Sequence, residues 1–338
     1  MTSAKRATQT VLDPLLHIER CLVAAHHRDQ LAADVRRGLT AAAKHLPPKY
    51  FYDDRGSRLF EAICELPEYY LTRTEHALLA DVAGAAIAAA AAPQLVELGS
   101  GASRKTRRLL DALVAAHAAP WYVPIDVNET MLRESARALR ADYPTLGVHA
   151  LVADFEHGLP PLPPAARRLV AYLGSSIGNF VPPADVALLS AVAARLQAGD
   201  GLLLGADLVK APAVLEAAYD DAAGVTAEFN RNVLHVINRE LAADFVPEDF
   251  DHVARFDRVT ARVELYLRAR RAQRVRIGAL DLVVEFAAGE TIHTETSRKF
   301  TRASLEAMLR VGGFRPTHWF ASAEDAFALA LATVEVAA

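Results

Sequence analysis

The chain has 338 residues, 52% of them apolar and 23% charged, with a net charge of −4. That is enough apolar material for more than one core, and it excludes a disordered chain or a strongly basic binder of nucleic acid or anionic membrane. Two cysteines, Cys21 and Cys64, make neither a disulfide framework nor a zinc spacing, and the alanine run at 84–93 is too short to span a bilayer.

No apolar leader opens the chain, so a soluble, cytoplasmic, monomeric protein is expected, with no nucleic-acid or membrane partner. The twelve histidines show no ligand spacing, so no metal is expected. Residues 1–48 read as helices: LAADVRRGLTAAAKHL has apolar residues at helical spacing until Pro47 and Pro48 stop it. The aromatic-rich stretch 48–75 reads as loop, short helix and loop, and TEHALLADVAGAAIAAAA as a helix running to Pro93. Beyond it the rhythm changes. Short apolar runs at 94–101, 121–127, 146–155, 167–176 and 200–209 alternate with helical stretches, which predicts a parallel sheet with helices on both faces. FRPTHWFAS and FALALATVEV, after the helix SLEAMLRVGG, bring the strands to seven.

Between the fifth strand and that last helix lie residues 210–300, far too many for a loop. They contain a helix at 211–241 and strands within 258–277, 281–289 and 290–297. The expected organisation is an α/β sheet domain of residues 73–209 and 300–338. A second, α+β domain of residues 1–72 and 210–299 completes it, with the ligand in the cleft between them.

The turn after the first of these strands, Glu97-Leu98-Gly99-Ser100-Gly101-Ala102-Ser103, lets backbone approach a ligand closely. A dinucleotide fingerprint needs a third glycine at 104, where this chain has Arg104. Alone, the loop also fits a tight strand–helix connection. Asp126, 27 residues after Gly99, ends the second strand, where a carboxylate can accept both ribose hydroxyls of a nucleoside. Asp154 and Phe155 end the third, an acid for an adenine amino group beside an aromatic face. The pattern resembles the Rossmann-like S-adenosylmethionine-dependent methyltransferases, whose cofactor has no phosphates to cradle. Lys105 then suits the cofactor's carboxylate tail, against the plainer reading of a solvated first-turn lysine.

KYFYDDRGSRLFEAICELPEYYLTRTE, LVELGSGASRKTR, YLGSSIGNF and TETSRKF, in that order, resemble the histidine Nα-methyltransferases of ergothioneine biosynthesis over roughly residues 45–335. The resemblance implies a Rossmann-like seven-stranded methyltransferase sheet plus a substrate domain, and S-adenosylmethionine-dependent trimethylation of the α-amine of L-histidine to hercynine. It puts the cofactor on Gly99, Ser100, Gly101, Lys105, Asp126, Asp154, Phe155 and Gly174. It puts Tyr69, the catalytic candidate, near the reacting amine, Asn179 and Tyr219 on the substrate carboxylate, and Glu295 and Ser297 on the imidazole, with Tyr52 lining the same pocket. One departure is Leu265, where the family usually has Met. The two are close in volume, so altered fit is expected rather than a new substrate.

The segment HTETSRKF (293–300) gives the implied imidazole site a chemical reading. On an extended chain Glu295 and Ser297 point the same way. An imidazole has two ring nitrogens about 2.2 Å apart; Glu295 can accept from one, and Ser297 can donate to or accept from the other. A solvated strand edge, or a helix cap by Ser297, is the bland alternative. The rival enzyme is an N-methyltransferase of another aromatic amino acid such as tryptophan, whose indole has a single donor. A silent cofactor-binding scaffold and a nicotinamide dehydrogenase fit less well, the latter for want of the third glycine.

Overall fold

A computed structural model describes residues 13–21, 24–156 and 158–334. The elements are β1 (Leu16–Arg20), α1 (Ala24–Leu39), α2 (Asp54–Cys64), α3 (Tyr70–Ala90), β2 (Gln94–Leu98), α4 (Arg107–Ala116), β3 (Trp121–Asp126), α5 (Glu129–Asp142) and β4 (Gly147–Val152). β5 (Arg168–Tyr172), α6 (Ala184–Ala193) and β6 (Gly201–Asp207) follow. The insertion supplies α7 (Pro212–Tyr219), α8 (Val225–Leu241), β7 (Phe250–Asp257), β8 (Arg262–Ala269), β9 (Gln273–Ile277), β10 (Leu282–Phe286) and β11 (Thr291–Arg298). The chain then closes with α9 (Arg302–Val311), β12 (Phe314–Ala321) and β13 (Phe327–Val334).

The large sheet runs β1-β4-β3-β2-β5-β6-β13-β12, parallel except where β13 lies antiparallel to both β6 and β12. It has eight strands, not the expected seven. The eighth is β1, in a segment expected to be helical, which pairs in parallel with β4 from Leu16↔Val148 to Arg20↔Val152. Its LHIER sequence alternates: Leu16 and Ile18 pack on the core while His17 and Glu19 are exposed, the period of a strand. β2, β5 and β6 are buried along their whole length, as central parallel strands covered by helices on both faces must be. One face packs α3, α4 and α5 and the other packs α6 and α9.

A third core joins Leu31, Val35, Phe51 and Leu71 to Phe229, Val233, Leu265 and Ile292 of the insertion. The single helix expected at 211–241 is two. The Asp221 carboxylate accepts from the backbone N–H groups of Val225 (2.9 Å) and Thr226 (2.7 Å), and Gly224 sits at φ +74°. Together they end one helix at Tyr219 and start another. β7 went unforeseen; it pairs with β8 in a three-stranded antiparallel sheet of order β11-β8-β7, beside a β9–β10 hairpin. Among the described residues no helix is long and apolar enough to cross a membrane.

Candidate active site

The chain runs outward from β2 through β3 to β4 and then restarts at β5 on the other side of β2. Such a reversal opens a crevice at the carboxyl ends of the strands. Gly99, Ser100 and Gly101 turn there, with both glycines at positive φ (67° and 51°), and the N–H groups of Gly99 and Ser100 donate to the Ile125 carbonyl. Asp126, at the end of β3, accepts from Gly101 N–H (2.8 Å) and Asn128 N–H (2.9 Å), and burial pushes its carboxyl upward. The Ser100 hydroxyl is buried without a hydrogen-bond partner. An orphaned hydroxyl in a glycine turn beside an acid is a fitting cradle for a polar nucleoside ligand.

Asp154 and Phe155 follow β4 in the same crevice; the Phe155 ring meets Tyr172 edge-on at 5.6 Å. Asp154 is not free, as its carboxylate accepts from Glu156 N–H (2.9 Å) and pairs with Lys49 (3.3 Å). Lys105 follows neither expectation alone. Its ammonium donates to Glu75 at 2.6 Å, and a Cβ on Gly174 (φ +75°) would come within 2.9 Å of it. Burial opposes the Lys105 charge, but the Glu75 carboxylate outweighs it and holds the group above its ordinary value. Glu75, fully buried, also accepts from Gly174 N–H at 2.8 Å, tying α3 to the turn after β5. Sequence reasoning missed Glu75, since a lone acid in a helix carries no local signal.

Next to this crevice Glu295, Ser297, Tyr219, Tyr69 and Tyr52 come together. Glu295 pairs across the ladder with Leu265, just beyond a bulge at His293/Glu295. Glu295 and Ser297 share one face. Thr296 is turned to the other, where its hydroxyl donates to Glu264 at 2.6 Å. Glu295 is buried and has no hydrogen-bond partner among the described residues, and burial, opposed by Lys299, pushes its pKa up to about 7. The Tyr69 ring meets Tyr219 at 6.1 Å and Phe60 at 6.2 Å, and Phe60 meets Tyr52 at 5.6 Å, all near edge-on. Burial lifts the Tyr69 phenol far above its ordinary value. Phe60 is a pocket ring the sequence reading passed over.

Asn179 ends a 3-10 turn, Ser176–Asn179, that lies against β11. Gly178 makes the contact possible: a Cβ there would lie 2.7 Å from the Arg298 carbonyl oxygen. The half-buried Asn179 side chain makes no hydrogen bond within the described residues, and its turn packs against β11, the strand that carries Glu295 and Ser297. Beneath it lies an unforeseen network. Asp207, fully buried at the end of β6, holds Lys299 (3.0 Å), Lys210 (2.5 Å) and the Tyr70 hydroxyl (2.8 Å). Lys299 in turn donates to Tyr219 and Ser297, both at 2.8 Å.

A family model for histidine-specific, SAM-dependent methyltransferases matches residues 31–334. The chain is 51% identical over 317 residues to a histidine N-alpha-methyltransferase of Mycolicibacterium smegmatis, covering 94% of this chain and 99% of that one. It is 48% identical over 302 residues to a histidine N-alpha-methyltransferase of Mycobacterium tuberculosis, covering 89% and 94%. A more distant relative, ergothioneine biosynthesis protein 1 of Schizosaccharomyces pombe, is 29% identical over 80% of this chain and 36% of that one. With a family match across nearly the whole chain and relatives identical at about half their positions, the chain belongs to the histidine-specific, S-adenosylmethionine-dependent methyltransferases.

Proposed function

We propose that the chain transfers three methyl groups in succession to the α-amine of L-histidine, giving hercynine, as the first step of ergothioneine biosynthesis, and that it does so as a cytoplasmic monomer. In this reading residues 1–72 with 210–299 bind the amino acid, and residues 73–209 with 300–338 bind the cofactor. Glu295 carries the substrate assignment: a buried carboxylate without a partner, two residues from a hydroxyl on the same strand face. A neutral or protonated imidazole satisfies both groups. A phenyl or aliphatic side chain would leave the carboxylate unpaired in a desolvated pocket, a penalty that gives strong discrimination.

S-adenosylmethionine, when bound, supplies an electrophilic methyl group. The chain's own residues bind and align. Asp126 offers its carboxylate to ribose hydroxyls, Asp154 and Phe155 face the adenine, and the Gly99–Gly101 turn with the Ser100 hydroxyl takes the body of the cofactor. Lys105 and Gly174 flank its amino-acid tail. Asn179 and Tyr219 hold the substrate carboxylate, and Tyr52 and Tyr69 orient the amine. The Tyr69 phenol stays protonated, so it positions the nitrogen by hydrogen bonding and is not a base. The substrate's α-ammonium must lose its proton before each transfer, because only the free amine has a lone pair. Alignment of its lone pair is then the main requirement. The faces of Phe60, Tyr52 and Tyr69 favour the growing cation.

The test is the ratio of kcat/KM for histidine over tryptophan. Glu295→Ala should lower it by roughly 30- to 1000-fold, equivalent to about 2–4 kcal/mol, because a ring nitrogen loses its acceptor while an apolar ring gains room beside Leu265. A ratio unchanged within about a factor of two would remove Glu295 from side-chain recognition.

A further inference from the structure

Lys299, directly after β11, is wholly buried, and three oxygens surround its ammonium: Asp207 Oδ2 at 3.0 Å, Tyr219 Oη at 2.8 Å and Ser297 Oγ at 2.8 Å. An ammonium has three hydrogens and can only donate, so each oxygen receives one. Burial is the largest single influence and works against the charge, yet Asp207 and Tyr219 together outweigh it and hold Lys299 above its ordinary value. Tyr219 Oη and Ser297 Oγ also lie 2.7 Å apart, so one hydrogen sits between them. The two hydroxyls own two hydrogens. One makes that link, and a single one is left to point at a ligand.

We propose that Lys299 is a positioning residue that fixes these hydrogens, so that Tyr219 donates to the substrate carboxylate while Ser297, donating to Tyr219, meets the imidazole only as an acceptor. This rests on the histidine reading above and deepens it. A carboxylate is the stronger acceptor and draws the free hydrogen through Tyr219. Ser297 then faces a ring N–H. The other ring nitrogen faces Glu295, and nitrogen and carboxylate hold one proton between them, whether as imidazolium and carboxylate or as imidazole and carboxylic acid.

The complex therefore carries a fixed number of protons, unlike its free parts. At pH 8 free Glu295, at about 7, is mostly ionised, and a free imidazole, at about 6.5, is mostly neutral. Binding at pH 8 must take up about one proton at this pair. Among the described residues the other ionisable groups of this cluster are Tyr52, Tyr69, Tyr219, Cys64 and Lys299, with Asp126 facing Tyr52 and Asp207 facing Tyr219 and Lys299. The phenols and the thiol are all held above their ordinary values, first by burial, so they keep their protons at pH 8.

The experiment is calorimetry of L-histidine binding to the enzyme saturated with S-adenosylhomocysteine at pH 8, in two buffers of different ionisation heat. The wild type should take up about one proton more per histidine than Glu295→Gln, in which the α-amine contributes equally but the shared proton is gone. Equal uptake overturns the proposal. Lys299→Met should bring the uptake down to that of Glu295→Gln, because Ser297 is then free to turn and donate to the ring; unchanged uptake would deny Lys299 its positioning role. If Lys299→Met does not fold, wild type against Glu295→Gln still decides. A protein that neither binds nor methylates histidine would instead overturn the functional reading.

Discussion

Glu295 sits in a pocket that charges a stability cost for leaving it unpaired. Its folded pKa of about 7 lies above the ordinary value of 4.5, so the folded state holds a proton that the unfolded chain releases. Stability from this group is full below pH about 4.5 and is lost as pH rises through about 7. Glu295→Gln should therefore raise the stability of the ligand-free protein at pH 8 by about 1–3 kcal/mol while leaving it nearly unchanged at pH 5, read as thermal midpoints at both pH values. No gain at pH 8 would mean that solvent reaches the carboxylate after all. Glu295 and Ser297 were legible in sequence because their relation is local, two residues apart on one strand. Asp126 was legible for a similar reason, standing at a strand end. Glu75 and the Asp207–Lys299 pair were not. Their partners come from elements far away in sequence, and each looks like an ordinary surface charge until the fold closes over it.

At the scale of elements, the turn Ser176–Asn179 and strand β11 form one unit, because Gly178 allows their backbones to touch. Gly178→Ala should push the turn off β11, moving Asn179 from the pocket. Histidine affinity should fall about tenfold or more, whereas histamine, which has no carboxylate, should lose less, and S-adenosylhomocysteine should bind as before. An equal loss for histidine and histamine would show that Asn179 does not serve the carboxylate. The alternating strands and helices of the large sheet were readable because central strands are continuous apolar runs bounded by turns. Edge elements were harder. β1 is only five residues long, too short for its alternation to stand out in sequence, and β7 is partly buried on both faces and shows no clean period. The break between α7 and α8 depends on Asp221 capping a helix whose apolar spacing continues across it, so periodicity alone joined the two.

For the whole molecule, Asp126 at the strand ends of the large sheet and Glu295 of the insertion both act on Tyr52, which packs on the core shared by the N-terminal segment and the insertion. The residues proposed for the cofactor and those proposed for the substrate stand on different elements and are separable by mutation. Asp126→Ala should remove an acceptor for two ribose hydroxyls, about 1.5–3 kcal/mol for each charged hydrogen bond, and abolish measurable binding of S-adenosylhomocysteine. Unchanged affinity in a calorimetric titration would contradict the cofactor's placement at β3. Mass spectrometry reads the proposed methyl transfer to the α-nitrogen of histidine. Protein incubated with S-adenosylmethionine and an equal mixture of L-histidine and L-tryptophan should yield mono-, di- and trimethylated histidine in turn, with fragmentation placing every methyl on the α-nitrogen and tryptophan left intact. Methylated tryptophan with unchanged histidine, or methyls on the imidazole ring, would contradict it.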